Sequence, residues 1–201
     1  ASGAVYTATR SDVDAGDTVA WTLSGADASL FTIDAVTGVV SLIAAQDFET
    51  PGDADANGVY DITVTATDSG GLSDARAVQL TLTNVNEAPA VTSAGTGAFA
   101  ENASGAVYTA TRSDVDAGDT VAWTLSGADG GLFTINAATG VVSLVAAQDF
   151  ETPGDADANG VYQITVTATD SGGLSDARNV QLTLTNEIGR ASCRERGSMF
   201  V

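Results

Sequence analysis

Residues 46–60, QDFETPGDADANGVY, crowd several acidic side chains into one short segment that contains no Lys, Arg or His. The four carboxylates belong to Asp47, Glu49, Asp53 and Asp55. Carboxylates this close together suit two kinds of chemistry: they can bind a hard cation, or a pair of them can supply the acid and base of glycoside hydrolysis. The choice between the two depends on what the rest of the chain places beside them.

The composition argues against several classes of partner. The 201 residues include 26 Asp and Glu, 7 Arg, no Lys and no His, which gives a formal net charge of −19. A polyanion of this kind is poorly suited to bind nucleic acid or an anionic membrane surface. We find no signal peptide and no apolar run long enough to span a bilayer.

The C-terminal residues 187–201, EIGRASCRERGSMFV, differ in composition from the rest of the chain. They contain the only Cys, Cys193, and three of the seven Arg. The run EIGRASCRER resembles the translation of a DNA-sequencing adapter, so we interpret 187–201 as a non-native tail. A genuine C-terminal segment is the alternative.

The remainder is an internal repeat. Residues 1–84 recur as residues 103–186, and only seven of the aligned pairs differ: 28/130, 29/131, 34/136, 36/138, 43/145, 61/163 and 77/179. A period of about 100 residues is typical of one small β domain per repeat. Residues 85–102 precede the second copy and have no counterpart before the first. We therefore predict domains at 1–86 and 87–186, the first truncated at its N terminus.

Alternation of apolar and polar residues predicts the strands. Residues 59–67 direct Tyr60, Ile62 and Val64 to one face, and further strands are expected in the segments 5–9, 19–23, 30–33, 39–43, 78–82 and, before the second copy, 98–101. Seven antiparallel strands in about 100 residues indicate an all-β, immunoglobulin-like Greek-key sandwich. Trp21 and Trp123 lie on the apolar face and are expected in the core.

Alternating strand directions determine which loops share an end of the sandwich. The loops after strands two, four and six lie where the first strand begins, and the others lie where the seventh strand ends. Residues 46–58 follow strand five of repeat 1, beside the linker 84–87. The loops after strands two and six of repeat 2 face the same linker and carry Asp114, Asp116, Asp119 and Asp170.

The predicted joint therefore gathers many carboxylates and few basic residues. Like charges a few ångströms apart repel by about 1 kcal/mol per pair even in water. Calcium (Ca2+) accepts six to eight oxygen ligands in flexible geometry, whereas zinc prefers the His and Cys that the repeats lack. We predict calcium at this joint; the alternative is that the acids are solvated turn residues.

The chain resembles cadherin repeats, in the bacterial cadherin-like form, over essentially all of residues 1–186. The resemblance lies in the order of FAEN (99–102), TATRSDVDAGDT (7–18 and 109–120), LFTI followed by TG (30–38), QDFE (46–49), YDITVTATDSGG (60–71) and NVNEAP (84–89). It implies calcium sites between successive repeats, in a large surface adhesin-type protein.

The resemblance also implies which residues are ligands. At the joint they are Asp47, Glu49, Asn84, Asn86, Glu87, Asp114, Asp116 and Asp170. The outer end of repeat 2 has half a site in Glu101, Asp149, Glu151 and Asn186, and the outer end of repeat 1 has the other half in Asp12, Asp14 and Asp68.

The sequence departs from the family pattern in the linker and in one loop. The linker opens with Asn84 where the family usually has Asp, and it has only Glu87 where Asp-Asn is usual. Thr120 replaces an Asn. The first repeat has no equivalent of Glu101, so the joint is one ligand short.

Residues 53–58, DADANG, also match the start of an EF-hand loop. Val64 stands where that motif requires Glu, and the flanking segments are predicted strands, so we reject an EF-hand. Two alternatives stay open for the oxygens of this segment. They act as ligands of the calcium predicted at the joint, or they bind a separate ion.

Three classes of function follow. The first is a calcium-stiffened spacer or cell-adhesion segment of an extracellular or cell-surface protein, whose partners are neighbouring repeats. The second is a module that binds surface polysaccharide or like repeats. The third, an enzyme, is disfavoured because the chain offers no nucleophile–base pair and its acids fall at a domain joint rather than in a cleft.

Overall fold

The computed structural model describes residues 3–11 and 17–187, and the chain divides into two compact units, Ala1–Val85 and Asn86–Val201. The described residues form β-strands and two short 3-10 helices, Ala28–Leu30 and Gly130–Leu132. The predicted all-β class is thereby confirmed. No helix in these segments is long and apolar enough to cross a membrane.

Unit 1 is a sandwich of two antiparallel sheets. Its described strands are β1 (Ala4–Thr7), β2 (Val19–Ser24), β3 (Phe31–Ile33), β4 (Val39–Leu42), β5 (Val59–Asp68) and β6 (Ser73–Thr81). One sheet has the order β1-β4-β3 and the other the order β2-β5-β6. The chain changes sheet between β1 and β2, between β2 and β3, and again between β4 and β5, which is how a Greek-key sandwich is connected.

Unit 2 repeats this arrangement, adds the strands β7 and β8 before it, and includes the short additional strand β10. Its strands are β7 (Ala90–Val91), β8 (Thr96–Ala100), β9 (Ala106–Thr109), β10 (Arg112–Ser113), β11 (Ala122–Ser126), β12 (Phe133–Ile135), β13 (Val141–Leu144), β14 (Val161–Thr169) and β15 (Ser175–Thr185). The sheets have the orders β11-β14-β15-β8, β12-β13-β9 and β10-β7.

The prediction that all strands pair antiparallel is wrong for β8. This strand pairs in parallel with β15, with Thr96 opposite Gln181 and Ala100 opposite Thr185. The first and seventh strands of an alternating series point the same way, so their pairing must be parallel. The alternation of direction used to place the loops is therefore preserved, although the type of pairing differs.

The strand β6 is longer than the predicted segment 78–82. It pairs with β5 along its whole length, from Ser73 opposite Thr67 to Thr81 opposite Val59. The two strands form a hairpin whose turn contains Gly71 at φ +85°. The first five residues of β6 are exposed on both faces, so they carry no apolar alternation for a sequence pattern to detect.

The core of each unit contains a buried Trp, as predicted. Trp21 and Trp123 are 8% and 5% exposed. Gly38 lies beside the Trp21 indole, where a Cβ atom would come within 3.0 Å of the ring, and its φ of +70° is one that glycine tolerates. Thus the Thr-Gly turn between β3 and β4 serves the packing of the Trp.

The two cores differ where β8 covers one and not the other. Val180, Leu182 and Leu184 are at most 2% exposed in unit 2. Their counterparts in β6 and just beyond it, 102 positions earlier, are only half-buried. Since burial of an aliphatic side chain contributes about 1.5–3 kcal/mol, we expect unit 1 to be less stable than unit 2.

We expect amides of β6 to exchange with solvent faster than the same amides of β15, because β8 hydrogen-bonds and covers only β15. Hydrogen exchange followed by mass spectrometry can separate the repeats, since peptides containing Ala77 differ in mass from those containing Asn179. Equal protection of the two strands would contradict the predicted difference in stability.

Candidate metal centre

Oxygen-bearing side chains gather at the end of unit 2 where the linker enters. This linker-end cluster consists of Asn86, Glu87, Asp114, Asp116, Asp119 and Asp170. The loop after β10 and the loop after β14 meet here, because the Ser171 hydroxyl donates to Asp119 Oδ1 at 2.8 Å. The predicted sharing of this end by the two loops is confirmed within unit 2.

Two hydrogen bonds connect the linker residues of unit 2 to these loops. The backbone N–H of Glu87 donates to Asp116 Oδ2 at 2.8 Å, and the Asn86 side-chain amide donates to Asp170 Oδ2 at 2.9 Å. Asp116 and Asp170 are 7% and 6% exposed. The carboxylates are therefore desolvated and oriented before any ion is considered.

Arg112 is a member of this site that the sequence analysis did not single out. Its guanidinium lies 3.3 Å from Asp114 Oδ2 and also donates to the backbone carbonyl of Asp119 at 3.0 Å. The motif TATRSDVD contains this Arg beside the acids, so its position was a signal for the contact. Arg112 compensates part of the charge on Asp114 and shapes the loop that follows.

Asp119 Oδ2 is buried and has no hydrogen-bond partner among the described residues. A buried carboxylate oxygen without a donor is costly, by about 1–3 kcal/mol or more for a charged group. The orphaned atom fits a site that a cation completes.

The pKa of Asp170 shows how hydrogen-bond donors favour the ionised form of this one carboxyl group. Burial acts to raise it, but hydrogen bonds from the Asn86 side chain and from the backbone of Leu174, Gly173 and Gly172 outweigh burial, and the pKa is lowered. Asp170 is thus ready to bind a cation without first losing a proton near neutral pH.

A second group, the far-end cluster, consists of Glu101, Asp149 and Glu151. One carboxylate oxygen of each lies within 4.8 Å of the other two. Glu101 follows β8, while the other two lie in the loop between β13 and β14. The parallel pairing of β8 with β15 is what delivers Glu101 to this end.

Backbone amides hold Glu101 in place. It is 9% exposed, and its Oε1 accepts the N–H of Glu187 at 2.8 Å. Asn186 donates from its side chain to Glu151 Oε1 at 3.3 Å, so the predicted outer set of residues is brought together in unit 2. No ion pair connects the three carboxylates to an Arg within 3–11 and 17–187.

The acids of the far-end cluster influence one another's ionisation. The pKa of Asp149 is lowered by the backbone N–H of Glu151 and the Thr152 hydroxyl. The pKa of Glu151 is raised by its hydrogen bond with the Asp149 carboxyl, and the negative charge of Glu101 adds to the increase.

Unit 1 has the same loop geometry at its corresponding acids. The N–H of Glu49 and the Thr50 hydroxyl donate to Asp47 at 3.1 and 2.7 Å. Asp68 accepts the N–H of Leu72 at 2.8 Å, and Asn84 is exposed. Asp12 and Asp14 lie outside the described residues, and the joint with ligands from both repeats stays a prediction.

In the DADANG loop, the side chain of the first Asp accepts hydrogen bonds from the backbone of the loop itself. Asp53 accepts the N–H groups of Asn57 and Gly58 at 2.8 and 3.2 Å, and Ala56 adopts φ 55°. Asp53 is 6% exposed, so its charge is compensated by backbone donors. These backbone hydrogen bonds account for the tight turn of the DADANG loop.

Asp27 is a buried acid that the sequence analysis missed. Its two carboxylate oxygens accept the N–H groups of Ala54 and Asp61 at 2.7 and 2.6 Å, and it is 4% exposed. Asp129 makes the same two contacts in unit 2. The donors lie 27 and 34 residues away, so no local pattern signals the role.

The two clusters of unit 2 fit a hard divalent cation. The metal-binding atoms that their Asp, Glu and Asn side chains can supply are oxygens, and the chain has no His. Glu101, Asp149 and Glu151 together supply up to six carboxylate oxygens, and calcium accepts both monodentate and bidentate carboxylates. These residues could hold calcium. Zinc is disfavoured, because it prefers His and Cys ligands and the clusters contain neither.

Comparison with known proteins agrees with this fold. Residues 96–185 match the family described as Cadherin domain. The chain is 30% identical to human Protocadherin Fat 1 over 171 aligned residues. The aligned segment covers 82% of this chain and 4% of that protein. The chain thus spans a small fraction of this relative.

Solved structures with a similar fold include cadherin fragments. The EC1-2 fragment of human protocadherin-24 has a TM-score of 0.68 and 20% identity, with 92% of this chain and 89% of that chain covered. The EC22-24 fragment of mouse cadherin-23 has a TM-score of 0.59 and 20% identity, with 85% and 53% covered. The described β-sandwiches therefore share the fold of cadherin repeats, and within unit 2 residues 96–185 also match the Cadherin domain family.

We expect Asp27→Asn to destabilise unit 1 by about 1–3 kcal/mol, because the amide group can no longer accept two buried backbone N–H groups. Urea unfolding followed by exchange of β5 amides measures the change. Asp61→Gln is the matched control, since Gln163 already occupies the equivalent position of unit 2 and should leave stability nearly unchanged. A wild-type midpoint for Asp27→Asn would contradict the structural role.

We predict that the paired acids of the DADANG loops make the stability of the protein depend on pH when a chelator removes divalent cations. The hydrogen bond with Asp53 raises the pKa of Asp55, and Asp155 raises that of Asp157 in the same way. A raised carboxyl pKa stabilises the folded state at low pH, and this contribution is lost as pH rises through the folded-state value. We therefore expect the Asp55→Asn/Asp157→Asn variant to gain stability relative to wild type as the pH rises above about 4, and to keep that gain at neutral pH.

Urea midpoints at several pH values measure this gain, with Asp61→Gln/Asp74→Asn as a charge-matched control. A constant difference between variant and wild type across the range would show that the paired acids titrate normally.

Proposed function

We propose that this chain is a calcium-stiffened pair of cadherin-like repeats from an extracellular protein, in which it serves as a structural spacer or cell-adhesion segment. The observation that carries the proposal is the far-end cluster, where three carboxylates lie within 4.8 Å of one another without an Arg partner in the described residues. The Cadherin domain match over residues 96–185 supports the class of function.

The electrostatics of the cluster favour calcium. Each pair of like charges a few ångströms apart costs about 1 kcal/mol in water and more when partly desolvated. The pKa of Glu151 is raised first by its hydrogen bond with the Asp149 carboxyl, and the negative charges of Glu101 and Asp149 add to the increase. A bound divalent cation turns the repulsion into coordination, so the folded state gains stability when calcium is present.

Stiffening requires ligands from both repeats at the joint. We propose that Asp47, Glu49 and Asn84 of repeat 1 act with the linker-end cluster of unit 2. Within that cluster the linker residues Asn86 and Glu87 already contact Asp170 and Asp116. A cation shared across the linker would restrict bending, and repeats of one kind in tandem would set the length of a stalk.

The partners and location follow from the same proposal. Neighbouring repeats are the first partners, and the surface of a cell, with a large bacterial adhesin-type protein as the parent, is the expected setting. Extracellular calcium modules bind with dissociation constants of about 0.1–1 mM, which suits that setting. Binding of surface polysaccharide is less favoured, because Trp21, Trp123, Tyr60 and Tyr162 are core residues and offer no aromatic platform.

Thermal unfolding of the whole chain with increasing calcium tests the proposal. With a dissociation constant of about 1 mM, calcium at about 10 mM adds about 1.4 kcal/mol per site. We expect a larger shift in melting temperature with calcium than with magnesium, because magnesium demands a smaller and more rigid octahedral site.

Variants assign the shift to each cluster. Glu151→Gln should reduce the calcium-dependent shift of unit 2 at the far end, Asp116→Asn should reduce it at the linker end, and Asp61→Gln should leave it unchanged. X-ray scattering with and without calcium provides a second readout, which should show a narrower range of inter-repeat distances when calcium is bound. Equal and weak effects of the two cations would remove the support for calcium sites.

A further inference from the structure

The Asn-Gly pair at the end of the DADANG loop carries a chemistry that the proposed function does not use. In such a pair the backbone nitrogen of Gly can attack the side-chain carbonyl carbon of Asn, because glycine has no Cβ to obstruct the approach. The product is a cyclic imide. The turn itself requires the glycine, since Gly58 has φ +74°, a value that other residues rarely adopt.

The backbone N–H of Gly58, which would supply the attacking nitrogen, faces a carboxylate. It donates to Asp53 Oδ1 at 3.2 Å, and both residues are buried. The other oxygen of the same carboxylate accepts the N–H of Asn57 at 2.8 Å, so two backbone groups hold Asp53 in place. A general base must lie within about 2.6–3.2 Å of the atom whose proton it takes. Asp53 meets this condition for the proton that Gly58 must lose.

The side-chain amide of Asn57 is held at both of its polar atoms. Its Oδ1 accepts the N–H of Val59 at 2.6 Å, and its Nδ2 donates to Asp55 Oδ2 at 2.8 Å. Attack on the carbonyl carbon places negative charge on Oδ1, and an N–H that already points at this atom stabilises the charge. The nitrogen that must leave already contacts an acid.

A hydrogen bond between Asp53 and Asp55 connects the two acids. This bond raises the pKa of Asp55. Burial acts to raise the pKa of Asp53, but the N–H of Asn57, the hydrogen bond with Asp55 and the N–H of Gly58 outweigh burial, and the pKa is lowered. Two neighbouring carboxyl groups whose pKa values are moved apart are suited to act as a base and an acid.

We propose that the DADANG loops convert their own Asn57 and Asn159 into Asp and isoaspartate through a cyclic imide. In unit 1 the Gly58 nitrogen forms a bond to the Asn57 side-chain carbonyl carbon, and its proton passes to Asp53. The bond from that carbon to Nδ2 breaks, and a proton moves on through Asp55 to Nδ2, which leaves as ammonia. Ring closure therefore needs no other reactant. Water then opens the imide at either carbonyl, which gives Asp or isoaspartate.

Unit 2 repeats these contacts. The N–H of Gly160 donates to Asp155 Oδ1 at 3.2 Å. Asn159 donates from Nδ2 to Asp157 Oδ2 at 2.8 Å and accepts the N–H of Val161 at 2.7 Å. None of the seven positions at which the repeats differ falls within the loop. We expect the two loops to react at similar rates.

Asn136 provides an internal reference. Its Oδ1 accepts the N–H groups of Ala138 and Thr139, each at 3.0 Å, so this side chain is also fixed by backbone donors. The next residue is Ala137, whose Cβ lies beside the attacking nitrogen. Asn136 should therefore stay unconverted while the Asn-Gly pairs react.

The conversion changes the loop in which it occurs. Either product replaces the Nδ2 donor to Asp55 by a carboxylate, so that the segment 53–57 then holds three like charges that repel one another. Isoaspartate also lengthens the backbone just before β5, which begins at Val59. We expect the converted loop to hold the start of β5 less firmly.

The test follows the folded whole chain during incubation at neutral pH in water enriched in heavy oxygen. Mass spectrometry of its peptides then separates conversion in the folded chain, which adds the heavy isotope, from conversion during digestion. Peptides that extend through Asp61 or Gln163 assign the change to one repeat. We expect labelled Asp and isoaspartate at Asn57 and Asn159, and unchanged Asn136.

Variants test the role of the acids. In Asp55→Asn/Asp157→Asn, conversion should be at least about 10-fold slower, because a positioned acid or base contributes about 100-fold or more. Asp61→Gln removes a carboxylate outside the loop and should convert at the wild-type rate. In concentrated urea the loop geometry is lost, so wild type and the double variant should react equally and more slowly than the folded wild type.

Three results would overturn the proposal. The first is an equal rate for folded wild type and the folded Asp55→Asn/Asp157→Asn variant. The second is slower conversion of wild type when folded than in urea, which would mean that the loop protects its Asn residues. The third is Asp without isoaspartate, because direct hydrolysis of the amide by water gives Asp alone.

Discussion

The structure depends on how a chain with 26 acidic and 7 basic residues compensates its buried carboxylates. Backbone N–H groups do this for Asp27 and Asp53, which each accept two of them. A guanidinium does it for Asp114. The far-end cluster of Glu101, Asp149 and Glu151 has backbone donors but no Arg in the described residues, and it is there that a cation is the natural complement.

The near identity of the two repeats makes each a reference for the other. Equivalent residues of β6 and β15 are half-buried in one and buried in the other, and the difference coincides with the presence of β8 beside β15. The strand β8 contributes in two ways, since it supplies Phe99 to the core and carries Glu101 to the far-end cluster. Packing and a candidate metal site are therefore coupled through one strand.

Much of the fold was predictable because it follows from local patterns. The alternation in residues 59–67 predicted β5 to within one residue, and Trp21 was correctly assigned to the core. The exposed half of β6 has no apolar alternation and was missed. The parallel pairing of β8 was also missed, since pairing partners 85 residues apart leave no local signal.

The sequence by itself determined the strands, the repeat and the ends of the sandwich at which the acids lie, because side-chain period and strand parity are properties of the chain order. Only the tertiary structure decided which acids remain available for a cation. Asp27, Asp53 and Asp116 are all buried acids, yet the first two are tied to amides of the loop and strand around residues 54–61, while Asp116 accepts the N–H of the linker residue Glu87. The identity of these donors depends on chain segments brought together by folding, which composition and spacing do not encode.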